Sequence, residues 1–252
     1  MLRSLVGSEM CIRDRDKTYD YVEGKIADVT NKKIKVAGTY YTVGKDERYD
    51  ERDERIFRTY LNDKSYAYVD FATKYESKRY DFARITVKNG KVIFIDAYQF
   101  DDVAPVAEVK DRTVSCLDDP REARVSKATD LDDRVVFHDA KGYSVADKKD
   151  IVKDDVIHFY NNYENAIVRK DAKVQAKFEK TLENADGEWV VTKDAQYRIR
   201  TSVRDRGFKA IYSLEGKNYF VVDSRFDLRL AIEDDVKILL ALDNTVQLVE
   251  SA

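Results

Sequence analysis

The run Arg84-Ile-Thr-Val-Lys-Asn89-Gly90-Lys-Val-Ile-Phe-Ile-Asp-Ala-Tyr98 constrains the fold more than any other stretch of the chain. Two β-branched segments flank Asn-Gly, the dipeptide that tolerates positive φ at both centres of a type I′ hairpin turn. Folding about that turn pairs Val87 with Val92 and Ile85 with Phe94 on one face. Thr86, Lys88 and Lys91 then lie on the other, which turns apolar at Ile93 and Ile95. Such a hairpin needs further strands to cover its apolar face, because an isolated two-stranded ribbon is only marginally stable in water.

The rest of the chain supplies them. Val22-Glu-Gly-Lys-Ile26, Ile34-Lys-Val36 and Thr39-Tyr-Tyr-Thr-Val43 alternate between turn signals at Thr30–Lys33 and Ala37-Gly38, which suggests a meander curled into a small barrel or sandwich. Ser65-Tyr-Ala-Tyr-Val-Asp-Phe71 alternates as a further strand, and residues 53–61 fit either a short helix or a strand. Both prolines, Pro105 and Pro120, fall in 101–133, among the acidic pairs Asp101-Asp102, Asp118-Asp119 and Asp132-Asp133. Val103–Val109 therefore reads as an extended edge segment beside a domain connection.

Earlier elements return beyond it. Gly38-Thr-Tyr-Tyr-Thr-Val43 is echoed by Gly142-Tyr-Ser-Val145 and Gly216-Lys-Asn-Tyr-Phe-Val-Val222, and Val22–Ile26 by Val174–Phe178. Asp154-Asp155-Val156 is echoed by Asp234-Asp235-Val236, and Tyr80-Asp81-Phe82 occupies the same slot before the Asn-Gly hairpin. The expected fold is mainly β: two or three small barrel- or sandwich-like modules in tandem with minor helix. The expected organisation is a separate segment over 1–15, a first module over 16–103, a connection with a partial or central module over 104–171, and a module over 172–252.

Residues 4–15, Ser-Leu-Val-Gly-Ser-Glu-Met-Cys-Ile-Arg-Asp-Arg, resemble translated sequencing-adapter read-through and are expected to lie outside the fold. Setting residues 1–15 aside leaves 42 Lys and Arg against 46 Asp and Glu, and Cys116 as the one cysteine. A single thiol makes no intrachain disulfide and no zinc site. The full chain of 252 residues carries a net charge of −3 with both signs interspersed, which argues against nucleic acid as the partner of the surface as a whole. No apolar run is long enough for a membrane-spanning helix.

No side chain singles itself out for chemistry. His138 and His158, the only histidines, lie in alternating segments with no second ligand spaced for a metal. The Asp-Asp pairs lack the alternating oxygen ligands and glycine of a calcium loop and read as turn residues. Arg204-Asp205-Arg206 reads as a salt-bridged turn. Tyr40, Tyr41, Tyr66, Tyr68, Tyr80 and Tyr98 fit cross-strand packing first, and stacking platforms for bases or sugars second. No catalytic, cofactor-binding or metal-binding residue is assigned, and no cofactor is expected.

The segments Gly38–Val43 and Gly216–Val222, the turns Asp154-Asp-Val156 and Asp234-Asp-Val236, and Asn89-Gly90 together resemble the repeated small β modules of bacterial surface-layer and cell-wall-associated proteins. They are also similar to modules of tailed-phage tail and fibre proteins. The resemblance implies a non-enzymatic structural or adhesive role at a cell surface or in a virion, through self-association, other assembly subunits or surface glycan. The alternatives are an OB- or SH3-like nucleic-acid binder and a carbohydrate-active enzyme.

Overall fold

The computed structural model describes residues 19–43, 58–76, 81–110, 113–117, 125–128, 135–145, 147–185, 187–200, 210–214, 218–222 and 228–251. The Tyr80 slot, the pairs Asp118-Asp119 and Asp132-Asp133, the Arg204–Arg206 turn and segment 1–15 lie outside them. The chain is mainly β and divides into two compact units, 1–100 and 101–252.

The first unit is one sheet built from β1 (Tyr19–Gly24), β2 (Ile26–Val29), β3 (Lys33–Val36), β4 (Thr39–Val43), β5 (Arg58–Leu61), β6 (Lys64–Tyr66), β7 (Asp81–Lys88) and β8 (Lys91–Gln99). The segments β1 and β2 form one strand bent at Lys25: its first half pairs with β7 and its second with β3. At the other side β8 pairs antiparallel with β7 and parallel with β5, and touches β4 in parallel over two residue pairs. The ladder thus curls nearly back on itself without closing into a full barrel. Ile26, Ile34, Val36, Ile85, Val87, Val92 and Ile95 fill its interior. The order is not a meander, since the two parallel partnerships of β8 interleave strands distant in sequence.

Two local expectations change. Asn89 (φ 50°) and Gly90 (φ 74°) make the left-handed turn, and Val87 does face Val92. A bulge at Ile93 then shifts the register, so that Ile85 faces Ile95 and Phe94 faces Thr86. The bulge keeps Ile95 on the core face while Phe94 turns outward against Tyr60, with ring centroids 5.7 Å apart. The alternation over 65–71 also misleads: only Lys64–Tyr66 is strand, and Tyr68–Lys74 forms a helix, α1. Tyr68, Phe71 and Tyr75 recur at helical spacing, and the helix seats Phe71 in the core while the Tyr68 hydroxyl donates to Thr30 O at 2.6 Å. Residues 58–61 are strand rather than helix.

The second unit holds two sheets. One contains β9 (Asp102–Lys110), β10 (Thr113–Leu117), β11 (Val125–Ala128), β12 (Val135–Asp139), β13 (Gly142–Val145), β14 (Val156–Tyr160) and β15 (Asn165–Arg169). The other contains β16 (Lys173–Asn184), β17 (Gly187–Thr192), β18 (Gln196–Arg200), β19 (Ala210–Leu214), β20 (Asn218–Val222), β21 (Asp235–Leu240) and β22 (Val246–Ser251). Their orders, β11-β10-β9-β14-β15-β12-β13 and β18-β17-β16-β21-β22-β19-β20, are the same order of seven consecutive strands. Counting bent β1/β2 as one strand, the first unit has it too, as β4-β3-β1/β2-β7-β8-β5-β6. In all three the fourth and seventh strands pair in parallel.

The segment 103–109 is therefore not an edge. β9 pairs with β14 through Asp102–Pro105 and with β10 from Val106 onward, and Pro105, which lacks an N–H, sits where the strand changes partner. The Gly-Tyr echo also divides differently: 142–145 and 218–222 fill the fifth-strand place, whereas 39–43 is a third strand.

Gly24 lies at the bend of the first strand, where a Cβ would stand 2.7 Å from Ala37 Cβ and 3.1 Å from Ala37 Cα. Gly24→Ala is expected to lower the stability of the first unit by about 1–3 kcal/mol in urea denaturation. Adding Ala37→Gly, which removes the nearer obstacle, should recover part of that loss.

Candidate functional site

The acidic turns are structural where they are described. In the second unit's first sheet, Val106 N–H donates to Asp155 O and Asp154 N–H to Val106 O. In its second sheet, Phe178 N–H donates to Asp234 O and Glu233 N–H to Phe178 O. Asp155 and Asp234 each accept a hydrogen bond from the N–H three residues earlier, Val152 at 2.9 Å and Ala231 at 2.7 Å. The residues before them, Asp154 (φ 75°) and Glu233 (φ 72°), take left-handed backbone. Asp155 thus corresponds to Asp234, one position out of step with the Asp-Asp-Val echo. Asp102, Asp139, Asp147 and Asp243 bond nearby backbone N–H groups in the same manner, and Asp101 accepts from the N–H of Tyr163.

His158 joins the two sheets of the second unit. It is buried, with Nδ1 3.3 Å from Ile167 O and Nε2 accepting from Leu242 N–H at 2.9 Å. That pattern requires the neutral ring with its proton on Nδ1. Burial, with the Arg169 guanidinium adding to it, pushes the imidazole down to about 3. Around it Arg169 donates to Ala241 O and to Asn244 Oδ1 (2.8 Å), and Asp154 accepts from Lys173 (3.1 Å) and Lys237 (2.9 Å). Burial of Asp154 opposes ionisation, but the two lysines outweigh it and hold the carboxyl below its ordinary range. His138 is also buried and packs edge-on to Tyr143 at 4.9 Å. Cys116 is buried in the core.

The first unit holds the remaining polar features. Asp96 is 8% exposed; its Oδ2 accepts from Tyr98 OH at 3.1 Å and its Oδ1 has no hydrogen-bond partner. Burial, reinforced by the charge of Asp63, pushes its carboxyl up to about 7. A carboxyl enclosed in this way stays protonated below neutrality.

The tyrosines divide. Tyr68 and Tyr98 are buried, Tyr41 and Tyr66 pack against the core, and Tyr40 is 53% exposed with its hydroxyl donating to Asp28 at 3.1 Å. Lysines lie over these outer rings: Lys35 over Tyr40 at 5.2 Å, Lys74 over Tyr66 at 4.8 Å and Lys88 over Tyr19 at 5.1 Å. Arg84, ion-paired with Glu23 at 3.6 Å, lies 4.8 Å over Tyr21, which is 44% exposed. Tyr19 and Tyr21 were not singled out in the sequence; their alternation in Tyr19-Asp-Tyr-Val-Glu23 is the signal that placed them on one face.

Among the described residues no three His, Cys, Asp or Glu side chains gather as a metal-holding group, and no helix is long and apolar enough to cross a membrane. Comparison with known proteins returned no matching family model, no matching curated protein and no matching solved structure.

The two buried titratable groups have opposite linkage. His158, ordinarily 6.5, is depressed on folding, so its contribution is complete above about 6.5 and is lost as pH falls toward about 3. Trp189, the single tryptophan, lies in the second unit and reports its unfolding. Its urea midpoint should fall on acidification below pH 6.5, and His158→Gln should remove most of that fall. Asp96, ordinarily 3.8, is raised on folding, so its contribution is complete below about 3.8 and lost as pH rises through about 7. The first unit should therefore weaken over that window, and Asp96→Asn should flatten the dependence when its unfolding is followed by amide exchange.

Proposed function

We propose that the protein is a non-enzymatic structural scaffold, a tandem of three copies of one seven-strand module, serving an extracellular or virion assembly. The observation that supports this most is the common strand order with its parallel pair of fourth and seventh strands in all three sheets. Tandem β modules give length and stiffness without requiring a reaction centre, which suits the surface-layer-like or phage tail- and fibre-like role implied by the sequence resemblance.

In this reading the second unit is stiffened by the contacts of His158, Arg169 and Asp154. Partners are copies of the chain, other assembly subunits or surface glycan. The fifth strand ends the path of each sheet, and in β13 it carries Val145 at 66% exposure. An open edge of this kind invites pairing with another chain. Sedimentation velocity on the 252-residue protein should show association that rises with concentration, and Val145→Lys should weaken it at least severalfold. A protein that stays monomeric up to about 1 mM, and binds neither glycan nor assembly subunits, would contradict the proposal; that concentration corresponds to only about 4 kcal/mol of association energy.

The nucleic-acid alternative draws on a different observation, the lysine–tyrosine face of the first unit.

A further inference from the structure

We infer that the outer face of the first unit's sheet is a binding track for single-stranded nucleic acid, formed by Tyr19, Lys33, Lys35, Tyr40, Lys88 and Lys91. This deepens the nucleic-acid alternative above by naming its residues and ligand class.

The track follows from strand register. Tyr19 faces Lys88, Lys88 faces Lys91, Lys91 faces Thr42, and Thr42 faces Lys33. Register partners project to the same side of a sheet, so these residues form one continuous row across β1, β7, β8, β4 and β3. The inward-facing neighbours Val87, Val92, Val43 and Ile34 are buried, which fixes the row on the outer surface. Lys33, Thr42, Lys88 and Lys91 are exposed. Five strands at about 4.8 Å spacing make a track of about 19 Å. A second rank, Lys35 facing Tyr40, lies beside it on β3 and β4.

Charge and rings are combined as a single strand requires. Among the described residues, none of Lys33, Lys35, Lys88 and Lys91 makes an ion pair with a carboxylate, although acids outnumber bases in the chain. Asp28, beside the second rank, accepts the Tyr40 hydroxyl and faces Lys35 across the strands. Lys88 both covers the ring of Tyr19 and donates to its hydroxyl at 3.3 Å. Rings between unpaired cations match bases stacked between phosphates. A neutral glycan would leave the row of lysine charges uncompensated, whereas the phosphates of a single strand neutralise it.

The test titrates the full-length protein into a fluorescein-labelled oligothymidylate of about 12 nucleotides, read by anisotropy over a range of salt. Four lysine–phosphate contacts, from Lys33, Lys35, Lys88 and Lys91, on a single strand give a slope of log K against log salt of about −3. Lys33→Gln, Lys88→Gln and Lys91→Gln combined should reduce that slope to about −1, the share of Lys35, and weaken low-salt binding at least tenfold. Tyr40→Ala should weaken the oligothymidylate by about tenfold and leave an abasic strand of equal length unaffected. All four positions are solvent-exposed, so an unchanged thermal midpoint verifies that the variants are folded.

Absence of binding at low salt would overturn both the track and the nucleic-acid alternative. Binding that ignores the triple lysine variant would overturn the track alone and place the strand elsewhere on the protein. Equal binding of oligothymidylate, abasic strand and a sulfated polysaccharide would overturn the assignment to nucleic acid in favour of an anionic polymer held by charge.

Discussion

Everything in each sheet depends on one strand that serves two partners. The first strand begins beside the sixth and ends beside the second, so its backbone must change direction without stranding its N–H and C=O groups. In the second unit the change is managed by the turn that precedes the sixth strand. Val106 and Phe178 each exchange two backbone hydrogen bonds with that turn, through Asp155 and Asp154 in one sheet and Asp234 and Glu233 in the other. A carboxylate then holds the turn by accepting the N–H three residues back. The first unit bends at Lys25 instead. Its carbonyl accepts from Ala37 N–H, and Gly24 allows the two backbones to approach.

This arrangement explains where the polar chemistry goes. The described aspartates of the acidic pairs are occupied with backbone amides and lysines. His158 is held as a neutral bridge between strand and turn, and a ring with both nitrogens engaged and a strongly depressed basicity is poorly suited to proton transfer near neutrality. In the first unit the exposed lysines Lys33, Lys88 and Lys91 make no ion pair with a carboxylate among the described residues, and register aligns them into one row. The scaffold and the proposed binding track are thus two consequences of one sheet: its inner face builds the core and its outer face presents the ligand side chains.

Much of the fold was legible in the sequence because short-range signals dominate it. Asn89-Gly90 specified its turn, and alternation specified most strands. Other parts were hidden for physical reasons. The bulge at Ile93 is set by which side chain the core accepts, not by local preference. Tyr66 and Tyr68 alternate as a strand would, yet Tyr68, Phe71 and Tyr75 fit a helix, and tertiary packing decides between the two. The Asp-Asp-Val echo drew the eye one residue out of step, because two adjacent aspartates offer two alignments and only the hydrogen bonds select one. A better internal marker was present: Lys64-Ser-Tyr66, Lys141-Gly-Tyr143 and Lys217-Asn-Tyr219 each lead into or lie on a fifth strand. The lysine row was legible only in part: Lys88 and Lys91 share a face of the Asn-Gly hairpin, whereas Tyr19, Thr42 and Lys33 join them from three other strands through long-range and parallel pairing.

The measurement that bears most directly on the threefold common topology is the pattern of interstrand nuclear Overhauser effects between fourth and seventh strands. The three pairs are β5 with β8, β12 with β15 and β19 with β22. A module repeated three times requires parallel contacts in each, Thr59 with Ile95, Val136 with Ile167 and Tyr212 with Val249. An antiparallel pattern, or no contact, in any one of the three would contradict it.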